Sequence, residues 1–368
     1  MTNTNISPFK DYLLQKVAGY KGGKSRADAA QDRPIYKLSS NENMLGASPK
    51  AMAAVQANLH QLNEYPDNSD GRLRQALSDF YPGLMPDQFI TDNSGVGVIQ
   101  LIVNSFLGEG LECIFSNPCF IPYHSFPPKI GAKVVEVPLI GDQFELNVAG
   151  ILNAINDRTR LIWLCSPNNP TGTHLAKAQL DQLLDQVPDH VIIIYDEVYY
   201  QFATAPDFTT ALPYVKAGKQ IIGVNSFSKA YGLAGLRIGY AYASEKIARY
   251  VSNMRRPFLI NTLSMEAAIA ALQDDEFIQR TVATINEGKA YLYPELDQLG
   301  IQYWKSQANF ILMKPPMGEL EFEDLMLAQG IMIRPATSFG APGCVRVTIG
   351  TMEANQALIQ GLKEVLSK

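Results

Sequence analysis

Along the chain, short runs of β-branched and aliphatic residues alternate with stretches whose apolar positions recur at helical spacing. The runs predict strands at 88–91, 112–116, 133–138, 161–165, 190–195, 220–225 and 237–242. Between several of them the spacing predicts helices at 48–62, 71–81, 96–107, 148–155, 175–186 and 245–254. Mostly apolar strands separated by helices are the pattern of a largely parallel sheet covered on both faces. From about residue 264 the rhythm changes. Helices at 264–272 and 275–299 lead into short strands at 301–304, 310–313, 331–335 and 345–349, and a helix at 353–366 follows. The expectation is an α/β chain: a large domain with a mostly parallel central sheet flanked by helices, and a smaller α+β domain. The boundaries expected are a loop-rich arm at 1–49 that joins the small domain, a large domain at 50–260 and a small domain at 261–368.

Composition narrows the classes. With 368 residues, at about 150 per domain, the chain fits two domains. A hydrophobic share of 46% and a charged share of 18% exclude a disordered or collagen-like chain. The net charge of −5, with no basic block, argues against a nucleic-acid partner. Four cysteines and four histidines, widely spaced and without a paired motif, predict reduced thiols and no metal site. The longest aliphatic stretch, at 191–195, is too short to span a bilayer, and the first residues lack the pattern of an export signal. A cytoplasmic protein is expected.

Four segments carry chemistry, each just after a predicted strand. Ser226-Phe227-Ser228-Lys229 is followed by Gly232, Gly235 and Arg237. A lysine at the end of an internal strand is desolvated, which moves its amine toward a nucleophile, and the two serines and the arginine can hold one phosphate. Alone, the same run also reads as an exposed lysine in a glycine-rich loop. Asp92-Asn93-Ser94-Gly95-Val96-Gly97 opens a helix, whose N-terminal N–H groups bind anions. Its near match to a dinucleotide fingerprint fails at Gln100 and lacks the acid about 20 residues on. Ser166-Pro167-Asn168-Asn169-Pro170-Thr171-Gly172 is either a tight turn or a rigid presentation of an amide. Asp196-Glu197-Val198-Tyr199 puts an acid where α/β sheets bind ligands. Gathered at one sheet edge, an imine-forming lysine, an acid for a ring nitrogen and a phosphate cradle are what pyridoxal phosphate requires.

These blocks, with Leu38-Ser-Ser-Asn-Glu-Asn43, Glu64-Tyr65-Pro66-Asp67 and Val345-Arg346-Val347-Thr348-Ile349-Gly350, make the chain resemble the fold-type-I pyridoxal-phosphate aminotransferases of class I/II over residues 34 to 350. Within that family it is most similar to the histidinol-phosphate aminotransferases. The resemblance implies that Lys229 carries the cofactor and shuttles a proton, that Asp196 pairs with the ring nitrogen, and that Asn169 and Tyr199 bond the phenolic oxygen. It implies a phosphate held by Ser226, Ser228, Arg237 and the N–H groups of Gly95 and Val96, with Phe120 stacked on the ring. Tyr65 is expected to reach a neighbouring subunit's site, making a homodimer. Arg346 is expected to clamp a substrate anion. Arg334 reads as a site for a second anion or as a surface strand arginine. Tyr20 is expected as a lid tyrosine, and Asn43 near the substrate. The sequence departs from the family at Met44, where proline is usual, at Val96-Gly97, where an acidic pair is common, and at Phe120, where tyrosine is frequent. The expected reaction exchanges an amino group between histidinol phosphate and 2-oxoglutarate in histidine biosynthesis. An aromatic amino-acid aminotransferase and a threonine-phosphate decarboxylase are the alternatives. A transcription regulator would need a DNA-binding domain for which the roughly 40 residues before the match leave no room.

Overall fold

The computed structural model describes residues 9–14, 24 and 34–367. The seven strand-forming runs of the first part pair into one sheet: β1 (Phe89–Asp92), β2 (Glu112–Asn117), β3 (Lys133–Pro138), β4 (Thr159–Cys165), β5 (Ile192–Asp196), β6 (Ile221–Ser226) and β7 (Gly239–Tyr242). Their order is β1-β7-β6-β5-β4-β2-β3. All neighbours are parallel except those of β7, which runs antiparallel to both β1 and β6. The central strands are apolar throughout because successive side chains enter two different cores. Ile193, Tyr195 and Ile221 join one with Leu73 and Leu180, while Ile192, Ile194 and Ile222 join the other with Val98 and Ile102.

The helices begin where capping chemistry starts them. α1 (Pro49–Asn58) follows Ser48, whose hydroxyl accepts the Ala51 N–H at 3.2 Å. α2 (Gly95–Phe106) follows Ser94, whose hydroxyl accepts the Gly97 N–H at 3.1 Å. α1 ends at Asn58, short of the expected 62, and the chain tightens into a 3-10 turn at Leu59–Gln61.

The second layer holds α3 (Thr262–Ala271), α4 (Asp275–Gln298), β8 (Gln302–Tyr303), β9 (Phe310–Lys314), α5 (Glu319–Ala328), β10 (Ile331–Met332), β11 (Arg334–Pro335), β12 (Val345–Thr348) and α6 (Met352–Leu366). β11-β12-β9-β8 form an antiparallel sheet. The single strand expected at 331–335 is therefore two. β10 pairs in parallel with Tyr36–Lys37, whereas β11 turns to pair with β12. The helix α5 was not among the expected elements. The expected boundary at 260 also cuts through packing, since Met265, Ala267, Ala268 and Ala271 of α3 share a core with Ala51 of α1. No helix among the described residues is long and apolar enough to cross a membrane.

Gly239 opens β7 against the start of α2. A Cβ there would overlap Gly95 N and Ser94 C and approach Gly95 Cα to 2.8 Å, whereas one at Gly235 would meet nothing within 4 Å. Urea unfolding of Gly239→Ala is expected to show a loss of about 2 kcal/mol from overpacking. Gly235→Ala should stay within about 0.5 kcal/mol of the parent. Equal stability of the two variants would contradict the close approach.

Candidate active site

Because β7 is antiparallel, its first residue lies at the same edge as the last residues of its neighbours: Gly239 pairs with Asp92 at the end of β1 and with Ser226 at the end of β6. The carboxyl ends of β4 and β5 complete this edge with Cys165 and Asp196, which are register partners. A cavity of about 400 Å³ opens there. Its wall includes Gly95, Val96, Phe120, Asn169, Asp196, Tyr199, Ser226, Ser228, Lys229, Arg237 and Arg346, so eleven of the expected residues come together.

Part of the cavity wall is built for an anion. Ser94 takes the Gly97 N–H through its hydroxyl and the Val98 N–H through its carbonyl at 3.0 Å. The N–H groups of Gly95 and Val96 are what α2 then leaves to the cavity, at the positive end of its dipole. The Ser226 and Ser228 hydroxyls lie 3.0 Å apart beside them, and Arg237 completes the wall from a left-handed turn with φ 53°.

In the same wall two charges are desolvated. Burial pushes the Lys229 amine down to about 7, helped by Arg346 and Arg237 and opposed by Glu42 and Asp196. Lys229 Nζ donates to Ser40 O at 3.1 Å and sits 5.9 Å from the Tyr199 ring centroid. Burial pushes the Asp196 carboxyl up to about 6, against the Tyr123 hydroxyl, the Val198 N–H and Lys229. Tyr123 donates to Asp196 Oδ2 at 2.5 Å, and Val198 N–H to Oδ1 at 3.2 Å. Tyr123 is fixed in turn by stacking on Trp163 at 5.0 Å and by the edge of Phe120 at 5.7 Å. A desolvated carboxyl with only neutral donors on its oxygens suits a cationic ring N–H.

Arg346 is held on two sides, its Nη1 donating to Asn169 Oδ1 at 2.6 Å and its Nη2 to Ser39 O at 2.9 Å. Its guanidinium lies 4.9 Å from the Phe339 ring centroid and 5.4 Å from that of Phe310. The amide oxygen of Asn169 is thus committed to Arg346, which leaves its amide nitrogen as the group it can offer a ligand.

Other expected site residues lie elsewhere. Asn43 does not line the cavity. Its Nδ2 donates to Ala230 O and Thr281 Oγ1, both at 3.0 Å, and its Oδ1 accepts the Leu45 N–H, so it knots the chain. Arg334 is buried, not on the surface, yet it is not in the cavity wall. It stands opposite Arg346 in the sheet and meets Phe339 at 5.5 Å, and Phe339 is the side chain that faces the cavity. Tyr65 is 87% exposed and touches Phe258 at 5.4 Å, outside the cavity. Tyr20 lies outside the described residues. Tyr123 was expected only as one of the pocket's aromatic residues, with Phe120 and Tyr20, and three pairings escaped the sequence reading: Tyr123 with Asp196, Asn41 with Tyr199, and the Ser40 carbonyl with Lys229. Tyr123 left a signal, an aromatic placed shortly after a strand end. The other two left none beyond the Asn-Glu-Asn block.

A family model described as "Aminotransferase class I and II" matches residues 33–362. Histidinol-phosphate aminotransferase 2 of Carboxydothermus hydrogenoformans is 36% identical over 358 residues, covering 96% of this chain and 98% of the relative. The histidinol-phosphate aminotransferase of Akkermansia muciniphila is 36% identical over 367 residues, covering 98% and 100%. In fold, the crystal structure of histidinol-phosphate aminotransferase from Sinorhizobium meliloti in complex with pyridoxal-5'-phosphate superposes with a TM-score of 0.87 at 22% identity, covering 98% of each chain. Sheet, cavity and the half-buried lysine in its wall together define a fold-type-I enzyme of the pyridoxal-phosphate class. The chain belongs to the class I and II aminotransferase family. Its cofactor is pyridoxal 5'-phosphate and its reaction is amino-group transfer.

The cavity fits that cofactor: its wall combines an anion cradle, a buried carboxyl, a low-pKa amine and the aromatic ring of Phe120. A neutral amine is the reactive form of Lys229. Reaction of the cofactor-free protein with pyridoxal phosphate, followed by absorbance across pH, should rise with a half-maximum near pH 7. A half-maximum near the ordinary lysine value of 10.5 would overturn the desolvation argument.

Glu197, next to Asp196, is pushed from 4.5 up to about 7 by burial, against Tyr242, the Ala211 N–H and Asn225. The folded chain therefore holds a proton that the unfolded chain releases. Stability from this group is full below about pH 4.5 and declines as pH rises through 7. Glu197→Gln is expected to flatten the fall of the cofactor-free protein's thermal midpoint across that window. An unchanged slope would show that Glu197 does not couple folding to pH.

Proposed function

We propose that this aminotransferase moves the amino group between histidinol phosphate and 2-oxoglutarate, a step of histidine biosynthesis in the cytoplasm. The observation that carries the reading is kinship at 36% identity over almost the whole chain with enzymes named for that donor. The geometry is compatible with it. Histidinol phosphate has a phosphate and no α-carboxylate, so one anion site must accept a phosphate in the first half-reaction and a carboxylate in the second. Arg346, with a planar fork held by Asn169 and Ser39 and flanked by Phe310 and Phe339, is suited to both.

In this reading Ser226, Ser228, Arg237 and the N–H groups of Gly95 and Val96 hold the cofactor phosphate. Asp196 faces the ring nitrogen, Phe120 lies on the ring, and Tyr199 and the Asn169 amide face the phenolic oxygen. When bound, pyridoxal phosphate supplies a carbonyl carbon for the amine and a conjugated ring that takes up the electrons of the broken Cα–H bond. Lys229 moves the proton, and a pKa of about 7 lets it take up and return that proton near neutral pH. The working unit is a homodimer in which Tyr65 reaches the neighbouring site. Its exposure, and that of Leu59, Leu62, Met254 and Phe258, fits a face that meets a second copy.

The test titrates the cofactor-loaded enzyme with single amino donors and follows the absorbance change to the amine form. Histidinol phosphate should convert it at a far lower concentration than phenylalanine or tyrosine. The reverse order would assign an aromatic aminotransferase. Loss of a charged hydrogen-bond donor at Arg346, tested as Arg346→Gln, should lower kcat/KM about 100-fold for donor and acceptor alike. Arg334→Gln should act several-fold more weakly.

A further inference from the structure

Residues 38–43 run between the two layers and meet the cavity at Ser40, Asn41 and Glu42. Asn41 is buried, with φ 54°, a left-handed conformation that asparagine tolerates better than most residues. Each of its polar groups has a partner. The N–H donates to Thr348 Oγ1 at 2.9 Å, and the carbonyl accepts from Asn309 Nδ2 at 3.2 Å. Oδ1 accepts from Thr348 Oγ1 at 3.3 Å, and Nδ2 donates to the Tyr199 hydroxyl at 3.1 Å. The Thr348 hydroxyl already accepts the Asn41 N–H, so its own hydrogen goes to Oδ1, which turns the amide NH2 toward Tyr199. A phenol oxygen that accepts on that side sends its hydrogen elsewhere, and Tyr199 lines the cavity.

We propose that Asn41 is a positioning residue that aims the Tyr199 hydroxyl hydrogen into the cavity, onto the phenolic oxygen of the bound cofactor. This rests on the role given above to Tyr199. Accepting from Asn41 also makes the phenol a stronger donor, because consecutive hydrogen bonds polarise one another. The anchors of Asn41, Thr348 on β12 and Asn309 just before β9, belong to the small layer, whereas Tyr199 follows β5 of the large one. The aim of the hydroxyl therefore depends on how the small layer sits. The charged and titratable groups that act on Tyr199 besides Asn41 are Arg346, Asp196 and Cys165, with Lys229 over its ring, and all four remain in the variants below.

A donor on the phenolic oxygen stabilises the deprotonated form of the bound cofactor, so losing that donor raises the pH midpoint of its visible absorbance. The test compares the cofactor-loaded wild type, Tyr199→Phe, Asn41→Gly, Asn41→Asp and the Asn41→Gly/Tyr199→Phe double variant. Glycine and aspartate both accept the left-handed backbone, so neither forces a refolding of the segment. Tyr199→Phe should raise the midpoint by about one pH unit, and Asn41→Gly by about half a unit, the scale of one weakened hydrogen bond. Asn41→Asp, whose carboxylate draws the hydroxyl hydrogen to itself, should raise it at least as far as Asn41→Gly. The double variant should match Tyr199→Phe, because Asn41 has nothing left to aim. If Tyr199→Phe shifts the midpoint and the Asn41 variants do not, or if the double variant is additive, the proposal is overturned. If Tyr199→Phe itself shifts nothing, the fault lies with the assignment of Tyr199, and the proposal falls with it.

Discussion

The structure depends on desolvating two opposite charges, Lys229 and Asp196, at one edge of one sheet. Burial moves the amine down to about 7 and the carboxyl up to about 6. Each shift is a cost to the empty fold and an asset to the chemistry: the amine becomes nucleophilic near neutral pH, and the carboxyl seeks a cationic partner. A single apolar face could not hold the edge that dry. β5 and β6 have packed cores on both sides, and Tyr123 in the cavity wall is almost wholly buried, as are Trp163, Tyr195 and Tyr240. The doubly covered parallel sheet is thus the means of lowering water access where Asp196 ends its strand.

The second constraint is that the small layer must be tied to this edge. The segment from Tyr36 to Asn43 does so by its backbone. Tyr36–Lys37 pairs with β10, Leu38 O accepts the Thr348 N–H at 2.7 Å, Ser39 O accepts from Arg346, and Ser40 O accepts from Lys229. Three successive carbonyls therefore touch three different parts of the machinery. Asn43 then locks the segment to Ala230, the residue after Lys229. A segment that contributes mainly carbonyl oxygens leaves little trace in side-chain composition, although its place in the fold is exact in register.

This accounts for what was legible in the sequence. The strands of the large sheet were readable because continuous apolar runs follow from two-sided burial, and Asp196 stood out as the acid that ends such a run. The cradle was readable because helix starts and paired serines are local chemistry. What was not readable depends on partners far along the chain. Asn41 meets Tyr199, and Arg346 meets Asn169, only through tertiary packing. Residues 331–335 look like one strand, and only the arrival of Tyr36–Lys37 splits them. Arg334 failed as a cavity residue for a similar reason. Register sets it beside Arg346, and Phe339, from the 3-10 turn that follows, takes the place at the wall.

The antiparallel strand β7 resolves a problem of chain economy. In an all-parallel sheet the residues after Ser226 would leave the edge at once, since a crossover helix must carry the chain to the opposite side. Here β6 turns back directly into its neighbour β7, and the loop between them stays at the edge throughout. That is why Ser226, Ser228, Lys229 and Arg237 can come from one short stretch yet surround a ligand. The loop is held by close approaches that leave no room for side chains. A Cβ on Gly232, at φ 71°, would overlap Gly46 O, and one on Gly239 would overlap the first residues of α2. The amine, the hydroxyls and the guanidinium are thereby fixed by backbone packing on both flanks, with the arm on one side and the helix N-terminus on the other. Pre-organised groups of this kind meet an anionic ligand without first having to be ordered.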